Sequence, residues 1–232
     1  FINSTSNLKT KMFVISKYIK NYGFKNFIKI FLLELIYIVK FFDFKNLNIK
    51  KFSTAGQSNT EQFYFKGKKK YNIGYFPITY YALKFILKNF EIINNENSVI
   101  LDFGCADCRL AKFLFKSHYY GFDIDRKYLV YNKLKNAKIY NVDLRNIKKR
   151  KIIFNKLKIS KNKNIVLFFN DPFEINLVNK IISYFKKKYK KVYLILINTP
   201  NINLFKREKF FVRKKKVFLN KKRNIFILET KV

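Results

Sequence analysis

The sequence has no tryptophan, one histidine, one methionine, two cysteines and only 14 acidic residues among 232. His118, Cys105 and Cys108 are too few for a four-ligand zinc site without carboxylates, so no metal is expected. The cysteines are spaced Cys-x-x-Cys, as in a redox pair, but such pairs usually open a helix in a thioredoxin-like unit. Here an acid and a strand-like run precede them, so the expectation is ordinary small side chains in a reducing compartment. No apolar run is long enough to span a bilayer. The most apolar, IFLLELIYIVKFF at 30–42, is short, contains Glu34 and Lys40, and comes directly after Lys29. No internal repeat is present.

Against 14 acids stand 50 lysines and arginines, for a net charge of +36. So large an excess repels itself in a compact state and points to a polyanionic partner: RNA, DNA or an anionic membrane face. Biased A/T-rich codon usage would raise Phe, Tyr, Ile, Asn and Lys and remove Trp, but it would raise neutral Asn as readily as Lys. The chain opens on Phe1 and is read as processed or a fragment. Residues 8–42 hold Glu34 as their only acid, which resembles the region just after a mitochondrial targeting segment. A mitochondrial location is the expectation, a cytoplasmic one the alternative. Residues 1–72 read as a basic helical extension leading into a loop from about 46. The apolar positions between Phe27 and Ile38 suit a helix packed on its own domain or lying on a membrane surface.

Residues 73–232 read as one domain. After Pro77 a short helix is expected to about Phe90, with Thr79 as its N-cap. Strand and helix then alternate. Strands are expected at 98–103, 119–124, 137–142, 164–170 and 191–198, and helices at 109–116, 127–136 and 173–190. The stretch 147–164 is read only as a basic segment. Continuous apolar strands separated by helices predict an α/β, Rossmann-like, mostly parallel sheet with helices on both faces. FFVRKKKVFL and NIFILETKV predict a C-terminal β-hairpin.

The informative stretch is VILDFGCADCRLAKFL, 99–114. A glycine just after the first strand lets a ligand approach the backbone, and ligands of open parallel sheets bind beyond the carboxyl ends of the strands. Asp123, about 20 residues on at the end of the second strand, has the spacing of a ribose-binding acid. Asp102, Asp107, Asp123, Asp125, Asp143, Asp171 and Glu174 are half of all the acids, and each falls at or just after an expected strand end. Codon drift would not gather them there. A ligand carrying amine, ribose and adenine groups would.

These segments resemble the motifs of the class I methyltransferases that use S-adenosylmethionine. DFGCADCRLA is similar to their first motif, Asp-x-Gly-x-Gly-x-Gly, with Ala106 and Cys108 in the second and third glycine positions. GFDID is similar to the second and NVDLRN to the third. The resemblance implies the class I methyltransferase fold and cofactor contacts from Asp102, Gly104, Ala106, Asp107, Asp123, Ile124, Asp143 and Leu144, Asp143 facing the adenine amino group. No G-x-G-x-x-G is present, which disfavours a dehydrogenase. FFDF (41–44), FSTAG (52–56), GYFPITYYAL (74–83) and FFNDPFE (168–174) are similar, in the same order, to segments of a group of bacterial methyltransferase-like proteins. The likeness covers about 41–204.

NDPF at Asn170, Asp171, Pro172 and Phe173 is similar to the Asn/Asp-Pro-Pro-Tyr/Phe motif of amino-group methyltransferases, which implies catalysis by positioning the acceptor nitrogen. An equal reading is a strand end leading into a helix N-cap. Lysine clusters interleaved with aromatics, including Lys186, Lys187, Lys188, Arg213, Lys214, Lys215 and Lys216, suit phosphate contacts and stacking on unpaired bases, although a charge run is usually a solvated face. Three functions are consistent with these features: an RNA methyltransferase, acting for example on ribosomal RNA; an inactive RNA-bound component of an organellar ribosome or other ribonucleoprotein; and a protein methyltransferase.

Overall fold

Five runs of apolar residues form the centre of the molecule, because strands buried on both faces carry no polar alternation. The computed structural model describes residues 15–16, 19–20, 22–41, 64–65, 68–69, 78–124, 126–170, 175–197, 210–217 and 224–230. The strands are β1 (Ser98–Phe103), β2 (His118–Asp123), β3 (Ala137–Asn141), β4 (Asn164–Asn170), β5 (Val192–Ile197), β6 (Phe210–Lys216) and β7 (Ile225–Thr230). They form one sheet in the order β3-β2-β1-β4-β5-β7-β6. The first five are parallel. Strand β7 inserts antiparallel between β5 and β6, closing the expected C-terminal hairpin.

Four of the described α-helices cover the sheet, two on each face. On one side lie α1 (Phe24–Phe41) and α2 (Tyr80–Asn89); on the other lie α3 (Ile147–Lys156) and α4 (Ile175–Lys188). Helix α4 buries Leu177, Val178, Ile181, Ile182 and Phe185, one stripe of a 3.6-residue period. The aromatic wealth of the sequence is used across strands: Phe103 stacks on Phe169 at 4.7 Å and on Phe122 at 5.1 Å, and Phe154 of α3 meets Phe122 edge-on at 5.7 Å. Thr79 caps α2 as expected, its hydroxyl accepting from the Ala82 N–H.

Four stretches differ from expectation. The helix expected at 109–116 is a single 3-10 turn, Ala111–Phe113, and the one expected at 127–136 is a 3-10 helix, Arg126–Lys133. The first has a geometric reason. Once 104–108 are spent on the loop, the nine residues before β2 would span only about 14 Å as an α-helix. Returning along a six-residue strand takes nearly 20 Å, so the chain runs more extended. The converse error is α3, read as a basic segment. Asn146 caps it by accepting from the Lys149 N–H, and Arg150 and Phe154 are buried one turn apart. The stretch read as a loop from 46 to 72 holds a two-residue antiparallel pairing of Tyr64–Phe65 with Lys68–Lys69. The boundary at 72/73 lies outside the described residues.

Candidate cofactor site and basic edge

Strand order reverses between β1 and β4, and ligands of open α/β sheets bind at the carboxyl ends of the strands beside such a reversal. The loop leaving β1 turns there through three left-handed residues: Gly104 at φ 81°, Ala106 at 44° and Cys108 at 52°. It folds back on β2. Gly104 and Cys105 donate to the Phe122 carbonyl, and the Ala106 N–H donates to Asp123 Oδ2 at 3.0 Å. Thus Asp123, half-buried at the end of β2, holds the loop in place while standing at the sheet edge. Ile124 beside it is 47% exposed, an apolar surface against which a flat ring can lie.

Asp102 is buried beneath the loop and accepts from the Tyr119 hydroxyl at 2.6 Å. Burial, reinforced by the charges of Asp123 and Asp107 and opposed by the Tyr119 hydrogen bond, pushes its pKa up to about 7. Between pH 4 and 7 the folded chain therefore keeps a proton that the unfolded chain has lost, and stability falls as pH rises through that window. Wild type should lose about 2–3 kcal/mol more than Asp102→Asn between pH 5 and pH 8, measured by urea unfolding.

The Cys-x-x-Cys is accounted for by packing. Both cysteines are free and buried. Cys105 sits so close over β2 that a Cβ on Gly121 would come within 2.7 Å of its sulfur, which is why β2 has glycine there. Hydrogen bonding to Cys108, then burial, push the Cys105 thiol well above its ordinary pKa, the reverse of a reactive cysteine. Among the described residues no three His, Cys, Asp or Glu side chains converge as a metal site. Replacing both cysteines by serine should change the affinity of the expected S-adenosylmethionine site by less than about tenfold, or 1.4 kcal/mol; titration of the double variant checks it.

Asp107 has a different setting from Asp123. It is buried and accepts from Arg109 Nε at 3.3 Å. Arg109 in turn donates through Nη1 to Glu34 of α1 at 2.8 Å and to the Ile78 carbonyl at 3.1 Å, and its guanidinium lies 4.6 Å from the centre of the Tyr37 ring. Glu34 also accepts from the Tyr80 N–H at 2.5 Å, joining α1, the start of α2 and the loop after β1. Glu34 and Arg109 are functional candidates that sequence reasoning missed; the isolation of Glu34 as the only acid in 8–42 was the available signal. Removing one member of a buried ion cluster strands the others. Glu34→Ala should cost about 3–5 kcal/mol in chemical denaturation, and the isosteric Glu34→Gln less, because it can still accept from Tyr80.

At the end of β3, both oxygens of Asp143 are engaged by Arg145, through Nε at 2.8 Å, Nη2 at 2.9 Å and the backbone N–H at 3.0 Å. Those hydrogen bonds hold its carboxyl below the usual range. A carboxylate offers about four acceptor directions, so three bonds leave room for one more donor, such as an amino group. Leu144 contributes a buried side chain to the α3 side of the core, and its carbonyl accepts from Arg150 at 2.6 Å. Asn170 is half-buried at the end of β4. Asp171, Pro172 and Phe173 lie outside the described residues, as does Asp125.

Two of the basic clusters lie toward the β6 edge of the sheet. Lys186, in the last turn of α4, places its ammonium 5.0 Å from the ring of Phe210, the first residue of β6, so the two clusters adjoin. Lys187, Lys214 and Lys215 are exposed. Lys188 hydrogen-bonds Asn155 and the Tyr184 hydroxyl, Arg213 pairs with Glu229 at 2.9 Å, and Lys216 stands 6.0 Å from the Tyr81 ring. Pairing runs Asn170–Ile197–Ile225–Lys216 across the carboxyl edge of the sheet. Three strand spacings, about 14 Å, thus separate Asn170 from the top of the basic edge. Charged edge strands also prevent sheet-to-sheet association.

This strand order, with β7 antiparallel between β5 and β6, is the class I methyltransferase fold that the motifs led us to expect. Solved structures are similar to it at low identity. A fibrillarin/Nop5p complex matches at 15% identity and TM-score 0.45, over 72% of this chain and 87% of that one. TrmN from Thermus thermophilus matches at 16% and 0.41, over 66% and 49%, and the B. subtilis tRNA methyltransferase TrmK at 13% and 0.41, over 65% and 65%. The matched region spans less than two thirds of the TrmN and TrmK chains. No protein-family model and no curated protein matches the chain.

Proposed function

We propose that the protein is an S-adenosylmethionine-dependent methyltransferase acting on RNA. The observation that carries the cofactor reading is the loop at the strand-order reversal, held by Asp123 through the Ala106 N–H, with Asp102 beneath it and Asp143 one strand further out. The residues fit such a cofactor: Asp123 to bind ribose hydroxyls, Ile124 to lie against adenine, and Asp143 to accept its amino group. Bound there, S-adenosylmethionine supplies an electrophilic methyl group. The chain's own contribution is then to aim the acceptor, the role we assign to Asn170 with Asp171, Pro172 and Phe173.

RNA is favoured over a protein substrate by the charge of +36 and by the basic edge that reaches the row of Asn170. A second reading, an inactive RNA-bound component of an organellar ribonucleoprotein, draws support from Asp107 being tied to Arg109 and Asp143 to Arg145. Incubation with labelled S-adenosylmethionine and ribosomal RNA tests the choice. Methyl incorporation that Asn170→Ala abolishes, with cofactor still bound, supports the enzyme; bound RNA without transfer supports the component.

A further inference from the structure

Helix α1 has more apolar surface than the described residues cover. Its inner face is accounted for: Ile30 and Tyr37 are buried, and Glu34 closes on Arg109. Its outer face is also apolar. Phe24, Ile28, Phe31, Leu35 and Val39 succeed one another at helical spacing and are 39–65% exposed, with Leu32 and Ile36 alongside at 53%. A surface helix of a globular domain ordinarily carries one apolar stripe and turns polar residues outward. This helix carries two stripes.

Among the described side chains of α1, the exposed charges are of one sign. Lys25 and Lys29 are exposed along its border, while the helix's single acid, Glu34, is buried on the inner side. A second copy of this chain is disfavoured as the occupant, because it would bring one charge of +36 against another. A surface that is apolar within and negative at its boundary fits both features. Phe24 to Val39 measures about 22 Å along the helix axis, the form of a helix that lies in the headgroup region rather than crossing it. No described helix is long and apolar enough to cross a membrane.

We propose that α1 docks the protein on an anionic lipid surface, with Phe31, Leu32, Leu35 and Ile36 entering the acyl boundary and Lys25 and Lys29 reaching the headgroups. The buried Glu34–Arg109 pair fixes which face of the domain points to the lipid. This inference does not depend on methyl transfer.

The absence of tryptophan from the chain makes a single introduced one an unambiguous reporter. Leu35→Trp should show a blue-shifted emission on vesicles of phosphatidylglycerol and phosphatidylcholine, and quenching by brominated acyl chains in them. Neither should occur with phosphatidylcholine alone. A charge-preserving variant, Phe31→Ser with Leu32→Ser, Leu35→Ser and Ile36→Ser, should lose at least tenfold in vesicle co-sedimentation at 1 M salt, where the screening length is about 3 Å. Sedimentation with anionic vesicles without any change in Leu35→Trp emission would mean adsorption by charge alone and would overturn the proposal. So would a serine variant that binds like wild type, or equal insertion into neutral vesicles.

Discussion

Asp123→Ala should weaken S-adenosylmethionine binding at least about a hundredfold while leaving RNA affinity unchanged. A carboxylate that accepts from two ribose hydroxyls contributes about 1.5–3 kcal/mol per bond, and tenfold in affinity corresponds to about 1.4 kcal/mol. The structure adds a second cost, because the same side chain holds the Ala106 N–H at 3.0 Å and so fixes the loop through its left-handed residues. Asp123→Asn separates the contributions. Its amide oxygen still accepts from Ala106, but it has lost the charge that strengthens the ribose bonds, so its loss should be smaller. Isothermal calorimetry on the three proteins gives the order. Equal affinities would remove Asp123 from the site.

RNA affinity should fall about a thousandfold between 50 and 200 mM salt, because some six phosphates neutralised by lysine release their counterions together. Replacing Lys214, Lys215 and Lys216 by glutamine should flatten the slope of log affinity against log salt by about 2–3. Lys214 and Lys215 are exposed on the edge strand, and nothing in the fold requires their charge beyond guarding that edge. Arg213 is a poorer choice, since its pairing with Glu229 ties it to the neighbouring strand. Filter binding across a salt series measures the slope. A slope unchanged in the triple variant would move the RNA track elsewhere.

The strands were legible because burial on both faces leaves an unbroken apolar run: Ser98–Phe103 and Asn164–Asn170 match the expected bounds, and the other three parallel strands do so within one residue at each end. The connections were less so. Too few residues for the return path reduced the helix expected after β1 to a 3-10 turn, and periodicity carries no information about path length. Helix α3 was hidden because five of its ten residues are basic, leaving only Phe154 and the stem of Arg150 as a buried stripe. At the site, glycine and acid spacing revealed the loop and Asp123. The ion cluster of Asp107 was only half readable: Glu34 stood out as the only acid in 8–42, but its partner Arg109 lies 75 residues later. The fork of Arg145 on Asp143 is two residues long and was readable in principle.

The methyltransferase reading rests on the residues at the carboxyl ends of β1, β2 and β3 binding S-adenosylmethionine. Calorimetric titration of the wild-type chain with S-adenosylmethionine at pH 7.5 tests it most directly. One-to-one binding that Asp123→Ala weakens at least about a hundredfold is the predicted result. No heat and no competition by S-adenosylhomocysteine, from a protein that still binds RNA, would contradict it and leave a fold retained for its surface.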